Sequence, residues 1–322
     1  MSTDASIPGY AWLDGRVVPW HECVLHARSQ GAFWGANVFE GIRGYWCPEQ
    51  RDILAYKVDQ HLARLWQSMK SLHLRIDHTA EQLSQACAEL VQANEFETDV
   101  HLCVVAYFGM GPGMDPLAYT EETGVHITAV ALPSAPPGRC VDAKVSTWRR
   151  ISDESMPPRI KTGANYHNSR LAQHEAVRDG YQTALLLNNR GTVAEAPGAC
   201  VIMVRAGELV TPPGSSGVLE GITVGAIERL AGEKLGMRLV RREIDRSELY
   251  VADELFLCGT LAELLPIRSV DRVEIGDGEI GSVTRTLQHA YRELVHGRAG
   301  HPEDLTSLLR SAEQSVSGLA HA

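Results

Sequence analysis

The sequence predicts a two-domain α+β protein, and three observations carry that expectation. The chain has 322 residues, about twice the usual length of one domain. Segments with helical spacing of apolar residues alternate with short β-rich runs along most of it. Near the middle, Pro133-Ser-Ala-Pro-Pro-Gly138 sets three prolines in six residues, which neither a helix nor a central strand continues through. The expected division is a smaller α/β domain over 1–133, a linker over 134–140 and a larger domain over 141–322.

Each element has its own warrant. Residues 10–18 read as a hairpin turning at Asp14-Gly15, a favoured two-residue turn. Residues 52–58 alternate as a short strand. Leu62, Leu65, Met69 and Leu72 recur at helical spacing over 61–74, and Leu83, Ala86, Leu90 and Val91 repeat it over 79–95. Thr79, with Gln82 three residues on, makes a capping box for that second helix. Runs 101–108 and 125–132 are strands. Past the linker, strand is expected over 143–148 and helix over 168–179, ended by Gly180. Strands follow over 183–187, 199–204 and 208–211. A helix over 223–235 carries Ile227, Leu230, Ala231 and Leu235 on one face, and Gly236 ends it. Strands over 238–244 and 254–258 and a helix over 283–295 complete the pattern. The polar tail after Gly297 is expected to be loosely held.

Composition narrows the function classes. The chain is 44% hydrophobic and 22% charged, ordinary for a globular protein and unlike a disordered, collagenous or coiled-coil one. Its 30 Lys+Arg against 40 Asp+Glu give a net charge of −10, which repels nucleic-acid phosphates and anionic lipid. No uncharged apolar stretch approaches the roughly 18 residues needed to span a bilayer. Neither nucleic acid nor membrane is therefore an expected partner. Cys23, Cys47, Cys87, Cys103, Cys140, Cys200 and Cys258 are scattered, with no C-x-x-C pair. That argues against a disulfide framework or a zinc knuckle. Residues 1–10 hold no basic region followed by an apolar core, so a cytoplasmic location is expected. The 13 histidines show no ligand spacing and no H-E-x-x-H, so no metal is expected. Gly109-Met-Gly-Pro-Gly113 is not a G-x-G-x-x-G opening a helix, which disfavours dinucleotide binding.

Four features carry chemistry. Only Lys57, Lys70, Lys144, Lys161 and Lys234 are lysines; five of the 30 basic residues leave 25 arginines. A chain that so favours arginine keeps a lysine where an amine nucleophile or base is required, since arginine does not deprotonate. For any one lysine, coding bias is the blander reading. Lys161 stands apart: prolines precede it, Gly163 follows and a helix starts soon after. Leu219-Glu-Gly-Ile-Thr223 opens a helix, whose free amides and dipole attract phosphate; a plain cap is the alternative. Cys258-Gly-Thr-Leu-Ala-Glu263 follows a strand and offers amides and a hydroxyl to an anion; the alternative is a plain strand-to-helix turn. Val193-Ala-Glu195-Ala-Pro-Gly198 sets a lone carboxylate among apolar and turn residues, either buried against a cation or exposed in a turn. One coenzyme asks for all four, because it has an aldehyde, a phosphate and a basic ring nitrogen: pyridoxal phosphate.

The ordered motifs resemble the fold-type IV, class IV aminotransferases, most closely the branched-chain amino acid aminotransferases. Phe33-Trp-Gly-Ala-Asn-Val-Phe-Glu-Gly-Ile-Arg43 resembles the family's early motif, His61-Leu-Ala-Arg64-Leu its phosphate-arginine helix, and Lys161-Thr-Gly-Ala-Asn-Tyr166 its Schiff-base lysine segment. Glu195-Ala-Pro-Gly198, Leu219-Glu-Gly-Ile-Thr223 and Cys258-Gly-Thr-Leu-Ala-Glu263 follow in family order, so the likeness spans roughly 10–295. The resemblance implies a small α/β sandwich domain, a larger pseudo-barrel domain and a homodimer in which the 109–113 loop borders the partner's site. It implies that Lys161 bonds the coenzyme and then shuttles the substrate Cα proton, that Glu195 keeps the pyridine nitrogen protonated, and that Tyr166 bonds the ring hydroxyl. Arg64, Thr260 and the Ile222 and Thr223 amides would hold the phosphate, with Gly198, Leu219 and Gly221 beside them. The Thr260-Leu261 amides would lie near the substrate carboxylate, and Trp34, Phe39 and Gly41 would line the side-chain pocket.

The chain also departs from the family. Branched-chain enzymes usually carry a Tyr-x-Arg pair, whose arginine helps accept glutamate; here the positions are His101-Leu-Cys103. A tyrosine is typical where Trp34 stands, and aromatic residues are typical where Ser134 and Pro137 stand. The coenzyme half is therefore expected intact and the substrate half, at His101 and Cys103, altered. The expected activity is amino-group transfer between an amino acid and a 2-oxo acid, with a shifted substrate that fits a specialised biosynthetic role. A D-amino acid or (R)-amine transaminase, a lyase of the aminodeoxychorismate type and a non-catalytic coenzyme-binding protein are the alternatives.

Overall fold

In the computed structural model, which describes residues 7–115, 117–136 and 138–309, Asp14 and Gly15 take φ of 44° and 99°. Positive φ at both central positions suits a tight two-residue hairpin turn. They join β1 (Tyr10–Leu13) to β2 (Arg16–Pro19). Helix α1 (Gln30–Phe33), β3 (Asn37–Cys47), β4 (Asp52–Tyr56), α2 (Val58–Ser71), α3 (Ala80–Ala93), β5 (Val100–Phe108) and β6 (Thr123–Ala131) follow. These belong to one unit, Met1–Ser134 with Lys161–Ala164 and Glu293–Ala322. The other unit is Ala135–Ile160 with Asn165–Arg292. It carries β7 (Val141–Arg149), α4 (Tyr166–Arg178), β8 (Thr183–Leu187), β9 (Glu195–Ala196), β10 (Ala199–Arg205), β11 (Glu208–Thr211), α5 (Ile222–Leu235), β12 (Leu239–Arg241), β13 (Glu254–Gly259), β14 (Glu263–Val270), β15 (Val273–Glu274) and most of α6 (Ser282–Val295). The chain ends its described part in the first unit with β16 (Leu305–Ser307).

The first unit is an antiparallel seven-stranded sheet in the order β16-β4-β3-β5-β6-β1-β2. Its strands alternate. Val38, Glu40 and Ile42 of β3, Leu102, Val104 and Ala106 of β5, and Val125, Ile127 and Ala129 of β6 are buried. α2 packs on β3, and α3 on β6, β1 and β2. The intervening residues, among them Phe39, Gly41, His101, Cys103 and Val105, are half-buried. α3 has both bonds of its predicted capping box: the Thr79 hydroxyl accepts from Gln82 N at 3.2 Å, and Thr79 N donates to Gln82 Oε1 at 2.8 Å. α2 starts earlier than its apolar spacing suggested, because Lys57 at φ 54° turns the chain directly out of β4.

Two strands run against expectation. β3, eleven residues long, escapes a period-two reading because Gly41, Gly44, Glu40 and Arg43 interrupt its apolar alternation. Residues 258–263 close a β13–β14 hairpin, with 260–262 as its turn, and do not form a strand-to-helix turn. The expectation of a loose tail is also corrected. β16 pairs antiparallel with β4, Lys57 forms an ion pair with buried Asp304, and Leu308 is fully buried. Apolar burial and ladder bonds order this segment despite its polar composition; residues 310–322 lie outside the described part.

The second unit holds nine strands, in the order β12-β11-β10-β13-β14-β7-β8, with β9 on β10 and β15 on β14. The β11–β12, β14–β7 and β7–β8 pairs are parallel. Bridges between Leu187 and Val193 and between Thr192 and Asp245 bring the β8 edge round to the chain just after β12, giving barrel-like closure. The enclosed core includes Leu185, Val201, Met203, Val210, Leu257 and Ile267. α4 lies on β7 and β8, and α5 on β13.

Candidate active site

In the first unit the site is organised by β3 and α2. Lys161 follows the proline-rich stretch and is stitched to β3 by its backbone. Its carbonyl accepts from Phe39 N at 2.9 Å, and Thr162 bridges Val38. Lys161 N donates to Ser68 Oγ at 3.2 Å, and Gly163 N to Asn37 Oδ1 at 3.0 Å. A Cβ at position 163 would stand 2.7 Å from Asn37 Oδ1, so a larger residue would displace the side chain that accepts from Gly163 N. The Lys161 amine is thereby placed 4.6 Å from the centre of the Phe39 ring, a cation–π distance.

Helix α2 presents His61, Arg64 and Ser68 at i, i+3 and i+7, a single face. Ser68 holds Lys161; the other two meet Glu40. The Glu40 carboxylate is fully buried. Its Oε1 accepts from Arg64 Nε at 2.7 Å, its Oε2 from Arg64 Nη2 at 2.8 Å, and His61 Nδ1 lies 2.8 Å from Oε2. Burial pushes the Glu40 pKa up, but the bonds from Arg64 and His61 outweigh it and hold the carboxyl below its usual range. Burial lowers His61, opposed by Glu40 and assisted by Arg64 and Lys161. The imidazole is therefore neutral, and Nδ1 carries the proton, because a carboxylate only accepts.

Phe39, Gly41, His101 and Cys103 share the open face of the sheet. Cys103 stands opposite Gly41, and His101 opposite Arg43. The His101 Nε2 lies 2.8 Å from where a Gly41 Cβ would be. That nitrogen is buried and has no hydrogen-bond partner among the described residues. Burial lowers the His101 pKa to about 4, with Arg43, Lys161 and His61 adding to the shift, and burial raises Cys103 to about 11. Neither position carries charge near neutrality. Arg43 is tied to Ser134 Oγ at 3.1 Å and to Asp99 at 3.7 Å. Trp34 is exposed and packs edge-on against Phe33.

In the second unit Glu195 is only 6% exposed, which rules out the exposed-turn reading. Its Oε1 is 2.8 Å from Arg150 Nη2, and its Oε2 accepts from Leu219 N at 2.8 Å. Arg150, itself 5% exposed, also donates from Nε to Gly217 O at 3.0 Å. Leu219 leads through Glu220 to Gly221, the N-cap of α5, which offers no side-chain cap to the first-turn amides. A Cβ on Gly221 would meet Cys200 Sγ at 2.8 Å. The strands extend this cluster: Cys200 pairs with Cys258 and with Glu195, and a Gly259 Cβ would lie 3.3 Å from Gly198 O. Thr260 and Leu261 occupy the following turn, Leu261 exposed and Thr260 half-buried. A cavity of about 260 Å³, lined in part by Cys200, Thr211, Leu219, Gly221 and Val224, adjoins the same segment. Tyr166 is the first residue of α4, and Asn165 before it donates from Nδ2 to Pro157 O and Ile160 O, both at 3.0 Å, fixing the approach to Lys161.

The first unit thus joins Lys161 with Phe39 and Arg64 with α2's other site residues, and the second joins Glu195, Gly198, Leu219, Gly221 and the α5 amides with the Thr260 turn. Sequence reasoning missed Glu40, His61, Asn37, Ser68, Asn165 and Arg150. Glu40 carried a signal, as a carboxylate in phase with Val38 and Ile42. This donor set fits pyridoxal phosphate: an amine for its aldehyde, an arginine and uncapped helix amides for its phosphate, and a buried carboxylate for its ring nitrogen. Among the described residues no group of three or more His, Cys, Asp or Glu is placed to hold a metal ion, and no helix is long and apolar enough to cross a membrane.

Comparison with known proteins bears on the same residues. Residues 37–270 match the amino-transferase class IV family model. A probable branched-chain-amino-acid aminotransferase of Aquifex aeolicus is 36% identical over 298 residues, covering 90% of this chain and 93% of the relative. The crystal structure of the branched-chain amino acid aminotransferase from Thermobaculum terrenum in its PLP form has a TM-score of 0.88 at 40% identity, covering 94% of this chain and 99% of that one. The branched-chain aminotransferase from the thermophilic archaeon Thermoproteus uzoniensis, crystallised with norvaline, has a TM-score of 0.87 at 36% identity, covering 94% and 100%.

Proposed function

The chain belongs to the class IV aminotransferases and is a pyridoxal-phosphate enzyme that moves an amino group between an amino acid and a 2-oxo acid; from that premise we propose that Lys161 carries the coenzyme and that the preferred amino donor has an uncharged side chain. The observation that supports the first part is the fixing of Lys161 on β3, with its Nζ over the Phe39 ring. When bound, the coenzyme supplies an electron sink that acidifies the substrate Cα–H and a carrier for the amino group. Lys161 Nζ, freed when the substrate amine takes its place on the coenzyme, would carry the Cα proton from the substrate to the coenzyme's aldehyde carbon. Glu195, held by Arg150 and Leu219 N, would keep a proton on the ring nitrogen, and Tyr166 would bond the ring hydroxyl. Arg64, Thr260 and the Ile222 and Thr223 amides would hold the phosphate, and the Thr260-Leu261 amides would serve the substrate carboxylate.

The substrate side rests on the open face of the first unit's sheet. With His101 and Cys103 both neutral, a carboxylate-bearing side chain meets no formal charge at those positions. Branched-chain amino acids, the class in the relatives' names, suit Phe39, Gly41 and Cys103 better than glutamate does. The enzyme is further read as cytoplasmic, in keeping with seven free cysteines, and as a dimer of two copies. Borohydride reduction of the coenzyme-loaded protein followed by peptide mapping is expected to label Lys161, and Lys161→Ala to lose the label. A label at another residue would overturn the assignment. Leucine or valine is expected to exceed glutamate in kcat/KM as donor; a preference for glutamate would overturn the substrate reading. Gel filtration at the monomer mass would remove the dimer.

A further inference from the structure

Glu40 invites a question that the fold does not answer. An apolar residue at this position would pack β3 against α2 without desolvating a charge, and buried ion pairs seldom add stability over such a residue. The carboxylate is nevertheless present, fully enclosed, with two points on Arg64 and one on His61. The two-point clasp fixes the plane of a guanidinium that otherwise moves on a long flexible stem. The His61 bond fixes the carboxylate in turn, and the ring contributes it without adding charge.

We propose that Glu40 is a positioning residue for the coenzyme's phosphate, acting through Arg64: it sets the place and plane of the guanidinium, and His61 holds it there. This rests on the assignment of Arg64 to the phosphate made above. Two physical effects oppose each other. Placement by Glu40 favours binding of a phosphate monoester, whereas its negative charge repels one. If charge were all that mattered, removing it would tighten binding. The arrangement favours placement, because the carboxylate is bonded at three points and neutralised by the arginine that it orients.

Glu40→Asp separates the effects, since it keeps the charge and withdraws the carboxylate by one methylene; Glu40→Gln keeps the shape and removes the charge. The full-length apoprotein would be titrated with pyridoxal phosphate and, in parallel, with pyridoxal, which lacks the phosphate. Glu40→Asp is expected to weaken pyridoxal phosphate by about tenfold or more and to leave pyridoxal unchanged. Glu40→Gln weakens it less, and in an Arg64→Gln background Glu40→Asp has no further effect. Equal weakening of both ligands, wild-type affinity in Glu40→Asp, tighter binding in Glu40→Gln or an additive effect on Arg64→Gln would each overturn the proposal. If Glu40→Asp does not fold, His61→Ala is read instead, with the same selective loss expected. Wild-type protein that takes up no pyridoxal phosphate at Lys161 would instead refute the functional reading beneath it.

Discussion

Arg150→Met tests the buried pair in the second unit. The substitution keeps much of the side chain's volume but removes the guanidinium that holds Glu195 Oε1 at 2.8 Å and Gly217 O at 3.0 Å. Both charged side chains are almost wholly enclosed, so the carboxylate loses its cation while keeping its bond from Leu219 N. Breaking such a pair costs about 3–5 kcal/mol. The variant has one escape, which is to take up a proton at Glu195. For an ordinary carboxyl near 4.3 that costs about 3.7 kcal/mol at pH 7 and about 1 kcal/mol at pH 5. The penalty is therefore capped near 5 kcal/mol at pH 7 and shrinks to about 2 kcal/mol at pH 5, each including about 1 kcal/mol for the lost bond to Gly217 O. The sign follows from linkage: a folded state that binds a proton more readily than the unfolded one gains stability as pH falls. Urea unfolding of wild type and variant at both pH values measures the gap. A gap that is the same at pH 7 and pH 5 would refute the reasoning, as would an Arg150→Met/Glu195→Gln double variant no more stable than the single one.

Other outcomes follow from named contacts. Gly163→Ala forces a Cβ to within 2.7 Å of Asn37 Oδ1, so the Asn37 side chain must turn away and its bond from Gly163 N, which helps seat Lys161, is lost. Turnover is expected to fall at least about tenfold for about 1–2 kcal/mol of stability, and a variant with wild-type kcat would contradict this. Glu175 is pushed up by burial but pulled down further by Ser146, Lys144 and Thr147, to about 2. Its contribution, about 2 kcal/mol, is present above pH 4.5 and fades as pH falls toward 2, so the stability gap between wild type and Glu175→Gln should close on acidification. Leu308→Ala should cost about 2–4 kcal/mol in thermal or urea unfolding, since Leu308 is fully buried; a loosely held tail would cost almost nothing.

Local signals were legible in the sequence and distant ones were not. The Asp14-Gly15 turn, the Thr79 capping box and the Gly236 stop each depend on neighbours within a few residues, and each is found as expected. Lys161 and Glu195 stood out because their residue types sit oddly in their surroundings. The partners that give them meaning did not. Glu40 and His61 are 21 positions apart, and only the seating of α2 on β3 joins them. Arg150 follows Arg149, which is exposed, so nothing local marks it as the enclosed member of a pair. Gly163 reads as a turn glycine, whereas its constraint is Asn37, on a strand whose own pattern is broken by glycines and charges.

The seam between β16 and β4 has a consequence for biogenesis. Ser307 Oγ bonds Asp52 Oδ2 across 255 positions, so the outer strand of the amino-terminal sheet is supplied by residues translated long after the strand it completes. While the ribosome is still making the intervening chain, β4 presents an unpaired rim to its surroundings, a template that a neighbouring nascent chain or a chaperone can occupy. Completion of that sheet therefore waits for residues 305–308, and β4 stays an open edge until they are made.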